Sequence, residues 1–168
     1  MFKFSQVGSL TYDCQRLLGR IKIIESKEKY LEKHNIGKDA LDFKEKEFVE
    51  LMNHKKGKIK SALMSQKDIA GIGNIYADEI LFQSKIHPEK SVSKLKEKDF
   101  KKLYKNMIKV LKKAIEKNAD IESFPSSWII PKRNTKNAKC PRKNCKGKIK
   151  SVKVNSRTSF YCPKCQKK

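Results

Sequence analysis

Ile69-Ala70-Gly71-Ile72-Gly73-Asn74-Ile75-Tyr76-Ala77-Asp78-Glu79-Ile80-Leu81-Phe82 sets two glycines and an asparagine directly before a run that reads as helix. That helix closes at His87-Pro88, because a proline cannot continue it. A Gly-x-Gly turn invites a dinucleotide-binding reading, yet the third glycine of that fingerprint would fall at Tyr76, and helix instead of strand precedes the turn. The dinucleotide reading is rejected. What remains is a tight turn opening a helix N-terminus, where backbone N–H groups and the Asn74 amide can hold a phosphate oxygen. The same turn equally serves to join two core helices, and local sequence leaves these two readings level.

Outward from the turn, helical periodicity dominates. Upstream, from Asp42, Phe48, Leu51 and Met52 fall at i, i+3 and i+4; after an interruption at Lys55–Lys58 the pattern resumes with Ile59, Ala62 and Leu63. Downstream, Phe100, Leu103, Tyr104, Met107, Leu111, Ala114 and Ile115 form one apolar stripe, with Glu97 and Asp99 in the first turn and lysines on the opposite face. Between Asn118 and Lys139 the period is lost, and Phe124-Pro125 and Ile130-Pro131 mark an irregular connection. At the N-terminal end, Leu10-Thr11-Tyr12 and residues 20–24 read as two strands around a loop through Asp13–Gly19. Two strands are marginal alone, so the chain reads as beginning inside a β domain.

The 168 residues carry 41 Lys+Arg against 18 Asp+Glu, a formal charge of +23 that concentrates polyanions, nucleic acid before an anionic membrane. No apolar run reaches the roughly 18 residues that span a bilayer, and Met1-Phe2-Lys3-Phe4 lacks a signal sequence. The expectation is a soluble intracellular protein, cytoplasmic with the nucleoid or nuclear, with no membrane partner. Four of the five cysteines crowd into the last 29 residues; Cys14 stands apart and reads as a small buried hydrophobe. Cys140 and Cys145 are separated by four residues, Cys162 and Cys165 by two, with sixteen between the pairs. Two such loops facing each other across a hairpin give the closed four-thiolate set of one structural zinc, and a stretch this poor in apolar residues needs that staple to fold. The short β-favouring pieces Ile149–Val154 and Thr158–Tyr161 supply the hairpin.

The stretch Lys60–Pro88, with Leu63-Met64-Ser65-Gln66, the glycine turn and Ile86-His87-Pro88, resembles the helix-two-turn-helix signature of the formamidopyrimidine-DNA glycosylase and endonuclease VIII family. Arg157-Thr158-Ser159-Phe160-Tyr161-Cys162-Pro163-Lys164-Cys165-Gln166 is similar to that family's zinc-finger hairpin. The resemblance implies that Gly73 and Asn74 of the turn, Lys60 one helix earlier and Arg157 at the hairpin tip lie against the phosphates around an extruded nucleotide. Asp13-Cys14-Gln15-Arg16-Leu17-Leu18-Gly19 is similar to the family loop Asp-x-Arg-x-Phe-Gly, with one extra residue. By that match Arg16 fills the gap left by the flipped base, and Leu18 replaces the aromatic wedge, a part an apolar side chain can take. Phe124-Pro125-Ser126-Ser127-Trp128 with Arg133 resembles a branch of the family that lacks the long base-capping loop.

Two departures stand out. The first cysteine pair is spaced by four residues where the family usually has two. The chain also opens Met1-Phe2-Lys3 where the family has a nucleophilic proline followed by glutamate, so no catalytic residue is assigned and a separate catalytic domain is the expected partner. The expected architecture is mainly α: a β-hairpin remnant over 1–36, a helix-two-turn-helix domain over 37–118, a linker over 119–138 and a four-cysteine zinc ribbon over 139–168. The expected function is the damaged-DNA-binding portion of a base-excision-repair glycosylase/AP lyase, acting on double-stranded DNA. A non-catalytic architectural DNA-binding protein and an RNA-binding zinc-ribbon protein are the alternatives.

Overall fold

The computed structural model describes residues 2–4, 8–14 and 19–168, so Arg16 and Leu18 lie outside the described residues. The chain divides into two compact units, Met1–His34 and Asn35–Lys168. In the first, β1 (Phe2–Phe4) and β2 (Gly8–Leu10) pair antiparallel with Phe2 opposite Leu10. The strand expected at residues 20–24 does not form. Those residues are all exposed, so their partial alternation has no face to bury. Cys14, expected to be buried, is only partly so, and its Sγ accepts the Gly19 N–H at 3.1 Å. A helix that the sequence reading lacks, α1 (Lys27–Lys33), starts at Ser26, whose Oγ accepts the Lys29 N–H at 3.3 Å.

The second unit is mainly helical. After β3 (Lys38–Asp39), α2 (Glu45–Asn53) begins where Glu47 Oε2 accepts the Lys44 N–H at 2.9 Å, a few residues later than the period change at Asp42 predicts. α3 (Ile59–Leu63) leads into β4 (Ile69–Ala70), which pairs in parallel with β3 and so ties the start of the unit to the glycine turn. α4 (Asn74–Ser84) ends at Lys85, left-handed at φ 60°, with the Ile86 N–H returning to the Leu81 carbonyl at 3.0 Å, a cap that halts the helix before Pro88. α5 (Glu97–Glu116) packs on α2 and α4.

The stripe read from the sequence is the core of this bundle. Phe100, Leu103, Met107, Leu111 and Ala114 are buried against Phe48, Met52, Ile59, Leu63, Ile80 and Leu81. Each large side chain so buried contributes roughly 1.5–3 kcal/mol. Ile115 departs from the expectation at 63% exposed, because one further residue turns the helix about 100° away from the stripe. The irregular segment after α5 is anchored: the Phe124 and Trp128 rings pack at a tilt, 4.9 Å between centroids, and join the core with Ile130. β5 (Lys150–Val154) and β6 (Arg157–Tyr161) close the chain as an antiparallel hairpin. Among the described residues no helix is long and apolar enough to cross a membrane.

Candidate nucleic-acid interface

The turn ahead of α4 is braced from behind. Gln66 Oε1 accepts the Gly71 N–H at 3.1 Å and its Nε2 donates to the Ile72 carbonyl at 3.0 Å, while the Ile72 side chain is fully buried. Gly71 sits at φ 89°, a conformation L side chains rarely adopt. Gly73 is different. Its φ of −90° suits any residue, and a Cβ built there would meet no atom within 4 Å. The surroundings of Gly73 are therefore open at the end of α4 where the first-turn N–H groups have no partner inside the helix, and no acidic residue in that turn offsets their partial positive charge.

Behind Asn74 lies a buried polar network that joins α3, α4 and the hairpin. Lys60 is 1% exposed, and its ammonium donates to Asn74 Oδ1 and Asp78 Oδ1, each at 2.6 Å, and to Ser159 Oγ at 2.7 Å. Asp78 Oδ2 accepts the Phe160 N–H at 3.0 Å and pairs with Arg133 Nη2 at 3.0 Å, and the Arg133 guanidinium lies over the Phe160 ring. Asn74 Nδ2 in turn donates to the Thr158 carbonyl at 3.2 Å. Burial pushes the Asp78 carboxyl above its ordinary range and the Lys60 ammonium below its own, and the attraction between the two charges works against both shifts.

The hairpin carries Arg157 to the same place. Asn155 and Ser156 both have positive φ, 46° and 61°, as a tight two-residue turn between paired strands requires, and Arg157 follows opposite Val154, exposed. A small cavity lined by Lys60, Ser61, Met64, Val154, Asn155 and Arg157 separates the tip from α3.

A second set of contacts docks the base of the hairpin on the other end of α4. Arg142 Nη2 donates to the Phe82 carbonyl at 2.5 Å and its guanidinium covers the Phe82 ring; Gln166 bridges the Ile86 carbonyl and the Cys162 N–H. Glu79 Oε2 accepts the Ile129 and Ile130 N–H groups at 2.9 and 3.0 Å, and burial raises its pKa to about 7.

The four cysteines of the ribbon meet as expected. Cys140 Sγ lies 3.7 Å from Cys165 Sγ, and Cys145 Sγ 3.8 Å from Cys162 Sγ, with all four sulfurs within 4.8 Å of one another. A regular tetrahedron with zinc–sulfur distances of ~2.3 Å has edges of about 3.8 Å, so the donor set fits one structural zinc with no open position. Burial pushes the Cys140 thiol up, and that of Cys165 up to about 11, while the Gly147 N–H draws Cys145 down to about 7. Holding all four as thiolates takes a cation. The wider spacing of the first pair is absorbed by a turn in which Asn144 takes φ 65° and the Cys145 N–H bonds to the Arg142 carbonyl.

Of the residues singled out in the sequence, Lys60, Gly73, Asn74 and Arg157 thus fall in one neighbourhood, with Lys60 fully engaged inside it. Asp78, Ser159 and Arg142 have no assigned part in the sequence reading, and Arg133 enters it only as a mark of the family branch, without a partner. One signal was available: Asn74 and Asp78 stand four apart on one helix face, and a lysine on a buried face needs an acid.

Residues 36–126 match the family of the formamidopyrimidine-DNA glycosylase H2TH domain, and residues 138–168 match the zinc finger found in FPG and IleRS. The chain belongs to the formamidopyrimidine-DNA glycosylase family. It is 33% identical over 168 residues to the formamidopyrimidine-DNA glycosylase of Solibacter usitatus, covering 96% of this chain and 63% of that protein. It is 34% identical to that of Lactococcus lactis subsp. cremoris, with the same two coverages. Against the formamidopyrimidine-DNA glycosylase of Arabidopsis thaliana the identity is 33%, covering 94% of this chain and 40% of that one. The chain thus spans less than two thirds of the length of these relatives. Among solved structures, the Lactococcus lactis Fpg in complex with an abasic-site DNA superposes with a TM-score of 0.72 at 33% identity, covering 84% of this chain and 55% of that one. MutM in complex with a DNA containing carbocyclic 8-oxo-G follows at a TM-score of 0.71 and 33% identity, with the same coverage of this chain and 55% of its own.

Proposed function

We propose that this chain is the damaged-DNA-gripping portion of a base-excision-repair glycosylase, holding duplex phosphates on either side of a lesion. The observation that carries this reading is the arrangement around Asn74: an open helix N-terminus, an unfilled Gly73 and the exposed Arg157 guanidinium, tied together through the Asn74–Thr158 hydrogen bond. In this arrangement the first N–H groups of α4 and the Asn74 amide take one phosphate, and Arg157 takes the neighbouring one, the planar guanidinium matching two oxygens at once. Lys60 places its positive charge behind the site and orients the Asn74 side chain; Gly73 leaves room for the backbone of the nucleic acid. Arg16 and Leu18 are proposed to occupy the space vacated by the displaced base, a polar filler and an apolar wedge.

The ribbon's part is positional. Its zinc fixes the two cysteine turns, the turns fix the hairpin, and the hairpin delivers Arg157. Because phosphate contacts carry no sequence information, preference for damage comes from how readily a lesion-bearing nucleotide leaves the stack; the solved relatives are complexes with abasic-site and carbocyclic 8-oxo-G DNA. The place of action is where duplex DNA lies, the nucleoid-containing cytoplasm or the nucleus. The test is a titration of Arg157→Ala against matched and abasic-site duplexes at several salt concentrations. Both affinities should fall, and the slope of log K against log salt should drop by about 0.9, because one phosphate is no longer neutralised. An unchanged slope would remove Arg157 from the grip.

A further inference from the structure

α5 turns its apolar stripe inward, and the face behind that stripe is lysine. Lys98, Lys102, Lys105, Lys109 and Lys112 follow one another at intervals of four, three, four and three residues, the spacing that keeps side chains in one row on an α-helix. All five are exposed. Two other α5 lysines are paired with acids one turn away, Lys101 with Glu97 at 2.7 Å and Lys113 with Glu116 at 2.6 Å, whereas none of the five in the row makes an ion pair among the described residues. The row is about 21 Å long at 1.5 Å per residue. Partial burial and the nearby charges of Lys85 and Arg142 hold Lys102 below the ordinary lysine range, and Lys85 is itself exposed at the end of α4. Like charges three and four residues apart weaken a helix, and the helix's own stability therefore gives no reason for the row.

We infer that this lysine row is a second nucleic-acid surface, which holds the phosphate backbone of a duplex without reading its sequence. The partner follows from what the face lacks. The row itself holds no aromatic or aliphatic side chain, and protein interfaces draw their binding energy from such anchors seated in pockets. A helix lying on a membrane likewise needs a set of apolar side chains to insert, and those of α5 pack in the core except for Ile115, a single side chain in the last turn. A phosphate backbone asks only for positive charge along a line, and B-DNA supplies one negative charge per roughly 1.7 Å of axis. The row is also apart from the site at Asn74. Asn106, at the middle of α5, bonds Ser84 at the C-terminal end of α4, and the lysine row stands on the face of α5 opposite the buried stripe, whereas Asn74 and Arg157 meet across the start of α4 and the hairpin. The row serves a second segment of duplex, beyond the one gripped at Asn74 and Arg157.

The test is the triple substitution Lys102→Gln, Lys105→Gln and Lys109→Gln in the full zinc-loaded chain, glutamine being as good a helix former as lysine; circular dichroism checks the fold. On an undamaged duplex the slope of log K against log salt should fall by about 2.7, three phosphates at about 0.9 each. With two duplexes carrying different dyes, the wild type should bring them together by energy transfer and the variant should not. Preference for a duplex with an abasic-site analogue should survive in the variant, so its absence from both proteins counts against the grip at Asn74 and not against the row. An unchanged slope with undiminished bridging overturns the inference. So does a variant that keeps its duplex slope but no longer adsorbs to phosphatidylserine vesicles, the result expected of a membrane-facing row.

Discussion

Asp78→Asn swaps one oxygen for an amide and removes one negative charge from a site that holds three positive or polar donors. The Asp78 side chain is wholly buried, and its carboxylate is the only acid bonded to Lys60 and Arg133 among the described residues, with the Phe160 N–H as its third partner. Removing one member of a buried ion pair leaves the other charge uncompensated in low dielectric, at a cost of about 3–5 kcal/mol. Domains of this size have roughly 5–15 kcal/mol in total, and each kcal/mol moves Tm by about 4 °C, so the variant should melt roughly 10–20 °C lower. The double variant Asp78→Asn/Lys60→Met should recover a large part of that loss, because the pair's value lies in matching charges and not in net stabilisation. Scanning calorimetry of the zinc-loaded protein measures both. A shift under about 3 °C for Asp78→Asn would refute the reasoning, since it would mean that the network is open to water or that Lys60 finds another partner.

Three more outcomes follow from the same geometry. Gly73→Ala should leave stability within about 0.5 kcal/mol of wild type, because its Cβ meets open space, yet weaken duplex binding, whereas Gly71→Ala, at φ 89°, should cost about 1 kcal/mol or more of stability, read by urea denaturation. Glu79 has a folded pKa of about 7 against an ordinary 4.5, so the folded state binds the extra proton between those values and stability falls as pH rises through that window, by about 3 kcal/mol in total. The unfolding free energy of the wild type minus that of Glu79→Gln, which cannot titrate there, should fall by that amount from pH 4.5 to 8. Chelating the zinc should abolish duplex binding and preserve most of the helical circular dichroism, since the helical core has its own apolar contacts. It should nevertheless lower Tm, because Phe82, Lys60 and Asp78 lose their cover.

What could be read from the sequence was whatever repeats along the chain or recurs as a dense motif. The α5 stripe was legible because burial imposes a 3.6-residue period on Phe100, Leu103, Met107, Leu111 and Ala114. The zinc site was legible because chelation needs four thiolates in two short loops. The bonds of Lys60 with Ser159 and of Asp78 with Phe160 were not, since they join residues 99 and 82 apart and depend on where the hairpin docks. Residues 20–24 misled for the opposite reason. A local alternation is a strand only if a partner and a core exist for it, and neither is encoded within the five residues.

The central claim, that Asn74 and Arg157 grip phosphates next to a lesion, is tested most directly by ethylation interference on a duplex carrying a single tetrahydrofuran abasic-site analogue. The account predicts that ethylating the few phosphates flanking the lesion blocks binding by the wild-type chain, and that Arg157→Ala and Asn74→Ala each lose one of those blocked positions while the others persist. Interference spread evenly along the duplex, or a pattern that neither substitution alters, would contradict it.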